Sequence, residues 1–238
     1  MGSGEDGAGR AVKRSRVNAI MDEAEAMMAR AGFALPPFAH WSPATFRART
    51  DAGQIVAARL GWDITDYGQG DFDRLGLFLF TLRNGRLDEL QAGGGMAYAE
   101  KLLISRRDQI SPMHTHRLKV EDIINRSGAR LAVRLYGSDP AGGFDGAAGG
   151  VVRCDGIARP YRPGDVLLLA PGESVTLRPG DWHAFWGEGG DVLIGEVSTV
   201  NDDLSDNIFR APIGRFAEIE EDEAPLHLLV SDYPRWLG

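Results

Sequence analysis

Three Pro-Gly-acid triplets, Pro163-Gly-Asp165, Pro171-Gly-Glu173 and Pro179-Gly-Asp181, recur at eight-residue intervals. Proline presets the first corner of a turn and glycine accepts the second, so each triplet should reverse the chain. The stretch therefore reads as short antiparallel strands folding back on one another. Runs of β type flank it: Met96 to Ser105, Gln109 to His116, Glu121 to Asn125, Arg130 to Tyr136, Val151 to Cys154, Asp165 to Leu169, Ser174 to Leu177, Trp182 to Trp186 and Asp191 to Ser198. Leu75 to Leu82 and Arg86 to Leu90, joined through Asn84-Gly85, predict a hairpin. The spacing predicts a mainly β chain closed as a barrel.

Helices are expected only before this region. Val17, Ile20, Met21, Ala24, Met27, Met28 and Ala31 follow one helical face between Val12 and Ala31. Ser42-Pro43 offers an N-cap followed by proline at the first helical position, and a second helix from Phe46 to Leu60 should stop at Gly61. The expected organisation is a Gly-rich flexible tail (1–11), a helical segment packed on the barrel (12–66), the barrel with its site (67–200) and a C-terminal segment at the barrel rim (201–238).

The 238 residues carry a formal net charge of −8, which repels the phosphate backbone that dominates nucleic-acid affinity. Lys13-Arg-Ser-Arg16 is the only compact basic cluster and reads as the solvated start of a helix. No apolar run approaches the roughly 20 residues that span a bilayer. With one cysteine, Cys154, and no apolar signal segment near Met1, the cytoplasm is the expected compartment.

Chemistry concentrates in His114-Thr-His116-Arg-Leu-Lys-Val-Glu121. Alternate strand residues project from one face, so His114 and His116 converge, and a turn through Leu118 and Lys119 can return Glu121 beside them. His183 follows the Pro179 turn at the start of an apolar strand and supplies a fourth ligand. Three imidazoles and a carboxylate suit a divalent transition ion and leave open positions for substrate on an octahedral metal. Asp122, next to Glu121, should point the other way.

The pattern H-x-H-x4-E, then Gly128, then Pro-Gly-x-x-His183 resembles the two motifs of the cupin superfamily. Asp108 stands where the first motif opens with glycine, Pro179 sits one place nearer its glycine, and Gly187 replaces a terminal asparagine. Tyr98-Ala-Glu-Lys-Leu-Leu-Ile104, Pro112-Met-His-Thr-His116, Lys119-Val-Glu-Asp-Ile-Ile-Asn-Arg126, Gly195-Glu-Val-Ser198, Asn201-Asp-Asp203 and Arg215-Phe-Ala-Glu-Ile-Glu-Glu-Asp222 together resemble the D-lyxose ketol-isomerase family from about Arg14 onward. The resemblance implies a cupin jelly roll with leading helices outside it. It also implies a manganese-dependent homodimer that interconverts D-lyxose with D-xylulose, and D-mannose with D-fructose. Co2+, Fe2+ or Zn2+ also suit the ligand set.

Aldose–ketose exchange moves hydrogen between C1 and C2, which needs an electrophile for the sugar oxygens and a proton carrier. Lys119, in the turn between ligands, and Glu218, carried by the Arg-Phe-x-Glu-Ile-Glu-Glu-Asp match, are the candidates, with Glu218 as base and Lys119 serving an enediolate oxygen. Glu196 shares a strand face with Val192 and Ile194 and should be buried against a partner, either a sugar hydroxyl or a structural group. Asp203, Asp206 and Arg215 are candidates for sugar hydroxyls, although loop polarity also explains them. No cluster suits a phosphate, so a free sugar is expected. Two other readings keep the same ligands: an Fe(II) oxygenase, and a non-enzymatic sugar-binding cupin.

Overall fold

The computed structural model describes residues 11–202 and 205–237, and all absences below refer to these. Its centre is a 12-stranded sheet wound on itself. In chain order the strands are β2 (Gly61–Thr65), β3 (Leu77–Asn84), β4 (Tyr98–Ser105), β5 (Ser111–His116), β6 (Glu121–Ser138), β7 (Phe144–Asp145), β8 (Gly150–Cys154), β9 (Ile157–Tyr161), β10 (Val166–Leu169), β11 (Ser174–Leu177), β12 (Trp182–Thr199) and β13 (Asn207–Phe209). The short strands β1 (Val12–Lys13) and β14 (Ile219–Glu220) pair in parallel and tie the start of the described chain to its C-terminal segment. The fold is a mainly β cupin.

The triplet turns form as the sequence dictates. Gly164, Gly172 and Gly180 have φ of 81°, 97° and 91°. Asp165, Glu173 and Asp181 each donate a backbone N–H to the carbonyl three residues back. Each acid also turns its carboxylate onto the amide of that same residue, at 2.8, 2.6 and 2.9 Å. Every turn is thus closed twice.

Long β6 and β12 organise the barrel, pairing antiparallel from Trp182↔Tyr136 to Ser198↔Glu121. The sequence divides each into two strands, whereas the structure keeps each continuous across a register shift between Glu188 and Val192, where Val192 faces Gly128. A Cβ on Gly128 would lie 2.3 Å from the Asp191 carbonyl, so glycine lets the two strands stay together there. A Cβ on Gly187 would lie 2.3 Å from the Gly190 carbonyl, which accounts for the departure from asparagine. Asp108 takes φ 58°, the left-handed turn conformation that glycine would otherwise supply and that aspartate tolerates.

Two apolar cores result from strand alternation. Phe78, Phe80, Leu102, Ile104 and Leu193 face outward against helix α1 (Arg14–Arg30), which contributes Val17, Ile20, Met21, Ala24 and Met28. Leu77, Leu79, Leu103, Val192 and Ile194 face the barrel interior with Leu131, Val133, Leu135 and Phe185. Full burial stabilises each such side chain by about 1.5–3 kcal/mol.

Several expectations are corrected. The single helix from Phe46 to Leu60 is two short helices, α2 (Pro43–Ala48), capped by Ser42 Oγ on Thr45 N at 3.1 Å, and α3 (Gly53–Ala57). The Asn84-Gly85 hairpin does not form: β3 pairs with β4, and Leu87–Gln91 is helix α4, with Asp88 and Glu89 in its first turn. Gly61–Thr65 and Ile157–Tyr161 are strands the sequence did not mark. The basic cluster is not wholly solvated. Arg14 is fully buried, forked onto Asp232 at 2.8 and 2.9 Å and onto Glu221 at 2.8 and 2.9 Å. The chain closes with helix α5 (Tyr233–Leu237).

Candidate metal centre

His114 and His116 lie on one face of β5, Glu121 opens β6 and His183 lies near the start of β12, where it pairs directly with His114. All four are buried, and one donor atom from each lies within 4.8 Å of every other. Glu121 Oε1 is 3.2 Å from both His116 Nε2 and His183 Nε2. Ligands held about 2.0–2.2 Å from one ion stand roughly this far apart.

The rings are aimed by the backbone. His114 Nδ1 and His183 Nδ1 donate to the carbonyls of Pro112 and Asp181 at 2.8 and 2.9 Å, so both Nε2 lone pairs face the centre. His183 Nε2 is buried and, apart from its 3.2 Å approach to Glu121 Oε1, makes no well-aligned hydrogen bond among the described residues, a costly state that a bound cation resolves. His116 Nδ1 looks the other way, 3.5 Å from Asp206 Oδ2. Burial, reinforced by His183 and His116, holds His114 well below its ordinary pKa, and burial also lowers His116. Burial opposes ionisation of Glu121, but Lys119 and His116 outweigh it and hold the carboxyl well below its usual range. Neutral imidazoles beside a carboxylate are the state a divalent ion needs, so the donor set fits such an ion.

Lys119 is buried in the loop between β5 and β6, with Nζ 2.7 Å from Glu121 Oε2 and 3.1 Å from Glu196 Oε1. Its loop is held by Asp206, whose two oxygens accept the amides of Leu118 and Lys119 at 2.8 and 3.1 Å. Strand β13 lies against β5, setting Asn207 beside His116 and Phe209 beside His114. The cavity bordered by His114, His116 and Glu121 is lined also by Asp63, Tyr67, Lys101, Ser111, Glu196, Asn207, Phe209 and Arg215, among others.

A sequence model of the family described as D-lyxose isomerase matches residues 12–233. The chain belongs to the D-lyxose isomerase family. It is 46% identical over 234 residues to the D-lyxose/D-mannose isomerase of Serratia proteamaculans, covering 95% of this chain and 100% of that one. It is 41% identical over 230 residues to the D-lyxose/D-mannose isomerase of Escherichia coli O157:H7, covering 93% and 98%. Among solved structures, the L-ribose isomerase of Acinetobacter sp. DL28 in complex with L-ribose superposes with a TM-score of 0.59 at 16% identity, covering 90% of this chain and all of that one. The unliganded L-ribose isomerase of Cellulomonas parahominis gives 0.56 at 18% identity, covering 88% and 99%. At that identity the likeness speaks for the fold. Like the rest of its family, the chain is an isomerase.

Of the residues singled out in the sequence, His114, His116, Glu121, Lys119, Glu196 and Arg215 line this cavity, and His183 joins the three-histidine, one-glutamate cluster without lining the cavity. Asp206 does not line it: its carboxylate approaches His116 Nδ1 and accepts the amides of the Lys119 loop, so it braces that loop instead of facing the cavity. Glu218 is exposed, its backbone carbonyl accepts from Val12 N at 2.8 Å, and it does not line the cavity. Asp203 lies outside the described residues. Sequence reading passed over Lys101, whose Nζ donates to Asn201 Oδ1 at 2.8 Å and stands 3.5 Å from Glu196 Oε1. Its signal was there: Ala99, Lys101 and Leu103 share one face of the strand Tyr98–Ser105, and a lysine between two apolar residues on a buried face needs a charged partner inside.

Proposed function

We propose that this chain is a divalent-metal-dependent aldose–ketose isomerase acting on D-lyxose and D-xylulose, and on D-mannose and D-fructose. The observation that carries this reading is one cavity holding a convergent centre of three histidines and one glutamate and, beside it, Lys119 bridging Glu121 and Glu196. His114, His116, Glu121 and His183 would hold Mn2+, the ion the resemblance implies, or a similar divalent ion. Such an ion supplies an electrophile for the oxygens on C1 and C2.

Proton transfer falls to the side chains around it. Glu196 and Asp63 are the two cavity carboxylates outside the cluster, and Glu196, 3.1 Å from Lys119 Nζ, takes the role that Glu218 is too exposed to fill. It removes the proton from C2 of the open-chain aldose and returns one to C1, with an enediolate between. Lys119 faces the same space and steadies the negative charge on the enediolate oxygen. Asp63 and Arg215, 3.9 Å apart on the opposite wall, orient the remaining hydroxyls. The protein works as a homodimer in the cytoplasm on free sugars.

The test is turnover of D-lyxose, D-mannose and other aldoses by metal-free protein with and without Mn2+, read as ketose release. Metal-dependent release of D-xylulose and D-fructose, with exchange of the C2 deuterium into solvent, is expected. Oxygen uptake with Fe2+ and no sugar conversion would replace this reading with the oxygenase. Sugar binding without turnover would replace it with the binding cupin.

A further inference from the structure

Glu25, His40 and His227 form a second convergent group on the outer layer of the molecule, where sugar chemistry has no claim on them. Glu25 projects from α1, His40 ends the 3-10 turn Pro37–His40, and His227 lies in the C-terminal segment before the 3-10 turn Val230–Asp232. Glu25 Oε1 stands 3.3 Å from His40 Nδ1 and 3.5 Å from His227 Nε2. One donor atom from each of the three lies within 4.8 Å of the others.

These separations decide between two accounts. Charge-assisted N–H···O bonds close to about 2.7–2.9 Å, and both contacts are longer. Donor atoms on the edges of a zinc tetrahedron, with bonds of about 2.0–2.1 Å, stand roughly 3.3 Å apart. Glu25 Oε1 is also closed to solvent and has no hydrogen-bond partner, although the side chain as a whole is 29% exposed. A buried carboxylate oxygen without a donor is costly, and a cation removes the cost. His227 is pre-aimed as metal-bound histidines are, because its Nδ1 donates to the Trp41 carbonyl at 3.0 Å and leaves Nε2 facing Glu25. The His227 side chain is 12% exposed and that of His40 is 52% exposed, so an ion can enter from the His40 side.

We infer that Glu25, His40 and His227 form a second, structural site for a divalent transition cation of the zinc type, with water completing the tetrahedron. Two imidazoles and one carboxylate suit Zn2+ or Co2+ and disfavour Mg2+ and Ca2+, which prefer oxygen ligands throughout. A cation there joins α1 and the 3-10 turn that follows it to the C-terminal segment, nearly 190 residues further along the chain. Because it binds only the folded arrangement, it stabilises that arrangement by mass action.

Metal-free protein loaded with Zn2+ and freed of excess is expected to carry two ions per chain. The variants Glu25→Gln, His40→Ala and His227→Ala should each carry one, keep Mn2+-dependent sugar turnover and lose the part of the zinc-induced rise in melting temperature that the second ion adds. Their affinity for the second ion should fall at least about tenfold. Glu25→Gln nearly preserves side-chain shape, so its result stands even if a histidine variant misfolds. Crystals of the wild-type chain soaked in Zn2+ should show an anomalous peak between the three side chains. A single ion per wild-type chain, two ions persisting in Glu25→Gln, or no peak at that position would each overturn the site.

Discussion

The wall made by β3, β4 and β12 has two faces with opposite assignments. Outward, Phe78, Phe80, Leu102, Ile104 and Leu193 meet α1 in a wholly apolar seam. Inward, Leu77, Leu79, Leu103 and Ile194 begin the same kind of seam, and then Lys101 and Glu196 interrupt it with charge. Both faces are buried, and both follow the two-residue period of the strand. Apolar area alone stabilises the outer face, whereas the inner face holds charges that stay only because each has a partner. A protein can therefore carry a costly polar site on a sheet whose other side is sealed by a helix.

Removing the metal is expected to break the inner face most completely. Chelation, or His183→Ala, should abolish ketose formation, and Mn2+ should restore it only in the chelated wild type, as a coupled sugar assay would record. Next comes Glu196→Gln, which keeps shape and removes the base. Its kcat should fall by about two to four orders of magnitude with a much smaller change in KM. A rise in KM with kcat unchanged would show that Glu196 merely binds. Third, Phe80→Ala on the outer face should cost about 3–5 kcal/mol in denaturant unfolding while turnover per folded molecule stays constant. If Phe80→Ala lowered kcat, the two faces would not be independent.

The smallest effect is on pH dependence and concerns the metal-free protein. His114 and His116 have folded pKa values below the ordinary 6.5, so only the unfolded chain takes up their protons as pH drops through that value. Their contribution is complete above pH 6.5 and is lost progressively below it, by up to about 1.4 kcal/mol per pH unit for each. Glu121, also depressed, adds a further loss below the ordinary carboxylate value of 4.5. Denaturant midpoints measured in chelator from pH 8 to 5 should show this slope. Phe80→Ala should lower the curve without tilting it, and a flat wild-type curve would contradict the burial of the imidazoles.

Much of this was legible in sequence, for reasons that differ by residue. The Pro-Gly-acid turns are local, and each closes on itself within four residues, so reading them needs no tertiary knowledge. His114, His116 and Glu121 were legible because strand alternation and one short turn fix their relative placement, and His183 because a recognisable turn delivers it. What escaped depends on distant partners. Arg14 reads as a solvent-facing arginine until Glu221 and Asp232, more than 200 residues away, fork it into the interior. Asn84-Gly85 has the composition of a hairpin, but β4 takes the place beside β3. Asp206 and Glu218 are both acids in a polar tail, and only the path of that tail tells which of them comes near the centre.

That path also sets the order in which the molecule can be finished. The four convergent side chains of the candidate centre are all synthesised by residue 183, yet Asp206 and the strand Asn207–Phe209 that pack beside them come later. A nascent chain can thus display all its ligands before it can hold the Lys119 loop still. Under the proposed function, metal capture and competence for turnover would be separate events in the life of each molecule.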